Sequence, residues 1–295
     1  MAHSLFDKFA PYLLKPLKDE QYVVLDHLWH VREWPHLNAP ETISEKLTWL
    51  KLHYRDELAR RCCDKYQVRE FVRRQVSDEI LVPLIAVYDA AEEIRFDNLP
   101  EAFILKATHG SGWNVVCRSL ASFDRAAAVR TLSRYLRQDY FDGGREWGYK
   151  GLQPRIVCEQ LLLDDTGEVP EDYKFFCFHG EPRLIQIDYD RFTSHRVDLY
   201  DVSWNHLACR RTLWPNRGGA VPPAPGLLQP MLRIAARLAQ PFPFVRVDLY
   251  ALRDRVYFGE LSFYPGRGVL RHEPHSFDRL FGSYLHLETI TEHLI

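Results

Sequence analysis

Long apolar runs are missing. No stretch of the 295-residue chain approaches the roughly 18 uninterrupted apolar residues that a membrane-spanning helix requires. There is no excess of either charge. The formal net charge is −2, which gives no global reason to expect nucleic-acid or membrane-surface binding, although such an average would hide a local basic cleft. Paired cysteines are absent too: none of Cys62, Cys63, Cys117, Cys158, Cys177 and Cys209 forms a C-x-x-C pair, and no His/Cys cluster has zinc spacing. These are expected to be reduced, mostly buried thiols. His27 and His30 stand three apart with nothing nearby to complete a metal site, so a structural role is expected for them. No repeat or low-complexity tract is evident. The opening stretch MAHSLFDKFAPYLLKPLKDEQY interrupts every apolar run with charge, and reads as neither a signal peptide nor a spanning helix. The expectation is a cytoplasmic protein that meets any membrane-linked substrate from solution.

What is present is ordinary for a soluble globular chain: 46% hydrophobic and 26% charged residues. The length suffices for one large domain or two to three small lobes around a shared cleft. Residues 1–85 read as mainly helical. Thr42-Ile43-Ser44-Glu45 supplies N-cap residues ahead of a helical run from Lys46 to Tyr54. Asp64 to Gln75 (DKYQVREFVRRQ) reads as an amphipathic helix with a solvated basic face. From Ile80 the pattern turns strand-like: Ile80 to Val87 and Phe103 to Ala107 are short apolar runs, and a Gly-bearing loop, His109 to Asn114, leads to a return strand at Val115 to Cys117. Ser122 to Asp139 predicts a helix capped by Ser122. Arg155 to Glu159 predicts a strand, and Tyr173 to Phe178 with Arg183 to Asp188 a hairpin. Residues 215–230 predict a loop, and Met231 to Ala239 a helix. Phe244 to Tyr250 and Val256 to Ser262 predict a second hairpin. This mixture points to an α+β fold.

The second hairpin carries the most chemistry. Arg246 and Asp248 are two apart in a strand and share a face, and Glu260 on the partner strand can come beside Asp248. Two carboxylates on one buried face repel unless a cation lies between them. Mg²⁺ suits them, because it takes oxygen ligands and contacts substrate phosphates; a plain ion pair in a β-ribbon is the alternative. Arg246 beside them suits an anionic substrate or a developing oxyanion. Lys106 ends an apolar strand ahead of Gly110-Ser111-Gly112, whose backbone N–H groups can cradle phosphates; an ordinary hairpin turn is the alternative. The loop is not a Walker A sequence, since the order G-x-x-x-x-G-K-S/T is absent. Glu159 ends another apolar strand, the backbone of Gln160-Leu161-Leu162 can offer an edge for adenine, and Asp172 and Lys174 open the strand DYKFFCF.

The order of these features resembles the ATP-grasp superfamily, in which two α+β lobes hold ATP between them. More closely, SEKLTWLKL, DKYQVREFV, LPEAFILKATHGSGWNVV, REWGYK, PRIVCEQLL, DYKFFCFHGEPRLIQIDYDR, YDVSW, FVRVDLY and VYFGELSFYPGRG resemble the TupA-like ATP-grasp family, over about residues 40 to 290. The resemblance implies a helical region at 1–85, a lid subdomain at 86–160 and a C-terminal subdomain with the metal site at 161–295. It implies ATP and Mg²⁺ as cofactors. Lys65, Lys106 and Lys174 would contact or neighbour the phosphates, and His109, Gly110, Ser111, Gly112 and Asn114 would belong to the lid's phosphate loop. Glu159 and Leu161 would lie at the adenine–ribose edge. Asp248, Glu260 and Ser262 would form the metal site, Arg246 would steady the substrate carboxylate or tetrahedral intermediate, and Arg191 and Arg267 would lie toward the acceptor. Many superfamily ligases carry Glu-x-Asn where this chain has Ser262 in the third place, so His272, Glu273 and His275 are candidate substitute ligands. The implied activity joins a small-molecule or sugar carboxylate to an amine such as an amino acid through an acyl phosphate, in a cell-surface polysaccharide or related pathway, with no nucleic acid involved. An ATP-dependent phosphotransferase on the same fold is the alternative, and a glycosyltransferase or a non-catalytic nucleotide-binding scaffold are less favoured.

Overall fold

A computed structural model of the chain describes residues 15–190, 194–218 and 226–294. Arg191, expected near the acceptor, and most of the opening stretch lie outside the described residues. The architecture is α+β, with helices and antiparallel sheets as the sequence indicated.

The described residues open with four helices: α1 (Asp19–Val31), α2 (Ile43–His53), α3 (Glu57–Cys63) and α4 (Val68–Gln75). Helix α2 is capped by Thr42, among the expected cap residues, and starts at Ile43, ahead of the expected Lys46. Thr42 Oγ1 accepts from the Glu45 N–H and the Glu45 carboxylate accepts from the Thr42 N–H, a reciprocal capping box. The helix expected from Asp64 begins only at Val68. Asp64 Oδ1 accepts from the N–H groups of both Tyr66 and Gln67 at 2.8 Å, a side-chain turn that competes with helix. The Lys65 N–H donates instead to Thr108 O at 3.1 Å.

Strands β1 (Leu84–Tyr88), β2 (Phe103–Ala107), β3 (Asn114–Cys117) and β4 (Ile156–Gln160) form a four-stranded antiparallel sheet in the order β1-β4-β2-β3. The strand expected from Ile80 starts at Leu84, after Pro83, which cannot donate to a ladder. Helix α5 (Arg125–Leu136) packs against β2 and β3; its cap is Asp124, whose Oδ1 accepts from the Ala127 N–H at 2.8 Å, not the expected Ser122, which closes a preceding 3₁₀ turn. This sheet and helix share a core of their own, with Phe103, Leu105, Leu132 and Ile156 fully buried.

A five-stranded antiparallel sheet, in the order β10-β9-β5-β6-β7, forms the second layer: β5 (Asp172–Phe178), β6 (Glu181–Tyr189), β7 (Arg196–Asp201), β9 (Phe244–Leu252) and β10 (Arg255–Ser262). Between β7 and β9 come the short β8 (Arg210–Arg211) and helix α6 (Leu228–Ala239); β11 (His272–Glu273) pairs with β8, and α7 (Ser276–Ser283) follows. The expected hairpins are present. The β5–β6 turn is His179-Gly180, both left-handed (φ 48° and 81°), the conformation a two-residue hairpin turn requires. One face of the sheet buries Phe175, Ile185, Val245 and Val247 in a core that also takes in Met231 and Ala235 of α6. Ile43, Leu47, Leu50 and Val72 of the opening helices belong to that same core. The other face carries the polar residues of the site.

Candidate functional site

Strand register assembles a polar stripe across β5, β9 and β10. Lys174 pairs with Asp248, Asp248 with Glu260, and Arg246 with Ser262. The second pairing depends on a β-bulge between Phe258 and Glu260. Were Gly259 paired in regular register with Asp248, Glu260 would fall opposite Val247 and its carboxylate would point away from Asp248. Gly259 is suited to the crowding: a Cβ there would lie 3.0 Å from the Asp248 carbonyl oxygen.

Arg246 sits between the two carboxylates. It donates through Nε to Asp248 Oδ1 at 2.7 Å and through Nη2 to Asp248 Oδ2 at 2.6 Å, Ser262 Oγ at 3.0 Å and Glu260 Oε1 at 3.4 Å. Lys174 donates to Asp172 and, at 3.0 Å, to Asp248 Oδ2, with Asp188 Oδ2 at 3.7 Å. Burial works against the charge on Lys174, but Asp172 and Asp248 outweigh it and raise its pKa; Asp248 does the same for Arg246. The cation that electrostatics demanded between Asp248 and Glu260 is therefore Arg246 in this arrangement. The donor set of two carboxylates and a hydroxyl suits a hard divalent ion in kind. Glu260 and Ser262 face the cleft only partly buried, whereas both oxygens of Asp248 are held by Arg246 and Lys174. Among the described residues no group of three or more His, Cys, Asp and Glu converges on a metal position. The substitute ligands considered from sequence are occupied elsewhere: His272 and His275 bond Asp278 at 2.6 and 3.0 Å, and Glu273 pairs with Arg210.

The four-stranded sheet faces this stripe. Lys106 Nζ donates to Glu159 Oε2 at 2.8 Å, and Arg69 Nη1 to Glu159 Oε1 at 2.8 Å. Arg69 was expected on a solvated face of the Asp64–Gln75 helix; its side chain is 13% exposed and closes this pair. Lys65 joins the two layers. Its Nζ donates to Gly110 O of the loop and lies 3.9 Å from Glu260 Oε2. Burial, with Lys106 adding to it, lowers the Lys65 pKa against the pull of Glu260. Lys65, Arg69, Lys106, Glu159 and Gly259 line a gap of only about 10 Å³, room for about one water.

In the loop His109 to Asn114, Trp113 folds over Gly110: a Cβ on Gly110 would meet its ring at 2.5 Å. His109 Nε2 lies 3.2 Å from both Tyr135 O and Gln138 O. Gly112 is left-handed (φ 73°), Asn114 is exposed and Leu161 is buried. Arg267 does not join the Arg246 cluster. Its Nη2 donates to Asp26 Oδ1 at 2.7 Å, and its guanidinium lines a separate cavity of about 430 Å³ with Trp113, Tyr140 and Glu146. The Arg267 backbone is left-handed (φ 61°), a costly conformation for a residue with a Cβ. Neither Arg69 nor Glu146 belongs to a motif or spacing that marks a site in the sequence. The signal for Arg69 was a cation on the inner side of a helix; for Glu146, inside REWGYK, no local pattern stood out.

All six cysteines are unpaired and buried. No helix among the described residues is long and apolar enough to cross a membrane. A family model described as TupA-like ATPgrasp matches residues 45–286. No curated protein matches the sequence. Among solved structures, the chain is similar to a D-alanine–D-alanine ligase from Helicobacter pylori, with 12% identity, a TM-score of 0.44 and 83% of this chain and 68% of that one covered. It is similar to a D-alanine–D-alanine ligase from Bacillus anthracis complexed with ATP, with 13% identity, a TM-score of 0.40 and 74% and 55% covered. An L-amino acid ligase from Bacillus licheniformis gives 13% identity, a TM-score of 0.41 and 70% and 44% covered. The chain thus spans little more than half the length of the Bacillus anthracis ligase.

Proposed function

The chain belongs to the TupA-like ATP-grasp family, and from that premise we propose that it is an ATP-dependent carboxylate–amine ligase working through an acyl phosphate. The observation that carries this reading is the meeting of Lys65 and Lys106 from one side of the cleft with Glu260, Asp248 and Arg246 from the other. Phosphoryl transfer asks little covalent chemistry of a protein; it needs positioning and charge neutralisation, and this is a cluster of both charges on rigid strands.

In this reading Lys65, Lys106, Lys174 and the loop His109–Asn114 hold the phosphates, and Glu159 and Leu161 border the nucleoside. Arg246 turns from Asp248 to the substrate carboxylate. Asp248, Glu260 and Ser262 hold Mg²⁺, which when bound supplies neutralisation of the triphosphate. The acid attacks the γ-phosphorus and releases ADP; the amine then displaces phosphate to form the amide. Closure over the nucleotide excludes water, to which an acyl phosphate would otherwise be lost. A sugar acid as carboxylate and an amino acid as amine, in cell-surface polysaccharide synthesis, is the substrate pair we favour. A cytoplasmic setting agrees with six thiols left unpaired.

Nucleotide product analysis against a panel of acids and amines tests this. Release of ADP and phosphate only when acid and amine are both present is the expected result. ADP without free phosphate indicates a kinase, and no ATP consumption with any pair overturns the ligase. Glu260→Ala and Lys106→Ala are each expected to lose turnover by at least about a hundredfold with the fold intact by circular dichroism. Normal turnover in either sinks the site assignment.

A further inference from the structure

Beside the phosphate loop lies the cavity of about 430 Å³ lined by Trp113, Tyr140, Glu146 and Arg267. Two of its polar groups are not fully partnered among the described residues. Arg267 Nη2 is bound to Asp26, but its Nε is a buried donor with no acceptor among the described residues. Glu146 is 5% exposed, and no cation lies within ion-pair distance of it among the described residues. Both converge on Gly144: a Cβ added there would stand 3.0 Å from Glu146 Oε1 and 3.5 Å from Arg267 Nε. An unpaired carboxyl next to an unpaired guanidinium N–H matches the two ends of an amino acid, whose ammonium seeks the first and whose carboxylate seeks the second. The cavity also adjoins the place where phosphate chemistry is proposed. Trp113, which lines the cavity, belongs to the phosphate loop, and Glu146 feels the charge of Glu260.

We propose that this cavity is the pocket for the amine substrate, an amino acid, and that Glu146 takes the proton from its ammonium group. This inference rests on the ligase reading. One ammonium proton passes to a Glu146 oxygen, and the freed lone pair attacks the acyl carbon. The bond from that carbon to the phosphate oxygen breaks, and its electron pair leaves with phosphate. The second nitrogen proton goes to the departing phosphate, and Glu146 returns its own proton to solvent. An amide, hydrogen phosphate and one proton result from the acyl phosphate and the ammonium.

Electrostatics support the assignment. Burial pushes the Glu146 carboxyl up to about 7, against the pull of Lys51 and Arg267 and with the repulsion of Asp26 and Glu260. Those groups face it from α2, the Pro265–Gly268 turn, α1 and β10, and the neutral Tyr140, Tyr149, Cys63 and Tyr264 complete its surroundings. A base poised near the working pH combines availability with basicity.

The test compares Glu146→Gln with wild type in two reactions run on one panel of uronic and amino acids as carboxylate donors. One uses hydroxylamine as nucleophile, which is unprotonated at neutral pH and needs no base. The other uses amino acids as amines. Glu146→Gln is expected to keep hydroxamate formation within about twofold and to lose amide formation by about a hundredfold. The remaining amide rate is expected to lose the rise through about pH 7 and to follow the amine's own ionisation instead. Glu146→Asp, which keeps a carboxylate, is expected to recover part of the amide rate and serves if Glu146→Gln folds poorly. Equal loss of both reactions, or amide formation at the wild-type rate in Glu146→Gln, overturns the inference and leaves the ligase reading standing. Failure of wild type to release ADP with any pair overturns the ligase reading, and this one with it.

Discussion

Arg246 holds the place between Asp248 and Glu260 that electrostatics reserves for a cation. That such a cation was needed was legible from residue types and strand spacing; that the protein itself supplies one was not, because spacing fixes a face but not a rotamer. Glu146 was not legible at all. Its environment comes from Asp26, Lys51, Arg267 and Glu260, which are scattered through the chain and converge only in the fold. That environment has a consequence for stability. A carboxyl raised in the folded state from 4.5 to about 7 contributes favourably below its unfolded pKa, and the contribution is lost as pH rises through the folded one. Glutamine has no such loss. Relative to wild type, Glu146→Gln is therefore expected to gain stability between about pH 4.5 and 7 and to keep that gain above, up to about 3 kcal/mol. Urea unfolding at about pH 5 and about pH 8 checks it, and a difference between the two proteins that does not change with pH would count against a raised Glu146.

At the scale of elements, strands were easier to read than helix starts. Phe103–Ala107 is bounded by punctuation and lies where it was expected. The Asp64 and Asp124 side chains, by contrast, claim backbone N–H groups and move the starts of α4 and α5 past the apolar pattern. The bulge at Gly259, on which the carboxylate pair depends, left no trace in periodicity beyond the glycine itself. Packing between elements is close where α7 crosses the start of α2. A Cβ on Gly282 would lie 2.0 Å from Glu41 O and 2.8 Å from Thr42 C, both backbone atoms that cannot rotate away. Gly282→Ala is expected to destabilise by about 2–3 kcal/mol or more, and the neighbouring cap variant Thr42→Ala by about 1 kcal/mol. Thermal unfolding of the two variants ranks them; a Gly282→Ala protein as stable as wild type would show that α7 can shift without cost.

Across the whole molecule, the four-stranded sheet has a hydrophobic core separate from the one that unites the five-stranded sheet with the opening helices. The gap between the layers at Lys65 and Lys106, about 10 Å³, is far too small for a nucleotide triphosphate. A layer with its own core can move as a body, so binding is expected to part the sheets without unfolding either. Hydrogen exchange with an ATP analogue and magnesium should show slower exchange in Lys65 to Gln67 and in β2 and β3 together; protection confined to one layer would mean that the nucleotide does not lie between them. Lys65 gives this motion a particular logic. With about 10 Å³ beside it there is no room for a phosphate at its ammonium while it holds Gly110 in its present position, so capture of the nucleotide and retention of the loop are mutually exclusive states of one side chain. A phosphate compound too short to reach that lysine would occupy the cleft and leave the loop latched. Discrimination between full-length and truncated nucleotides would then be read out as the timing of a gate, and tightness of binding alone would not reveal it.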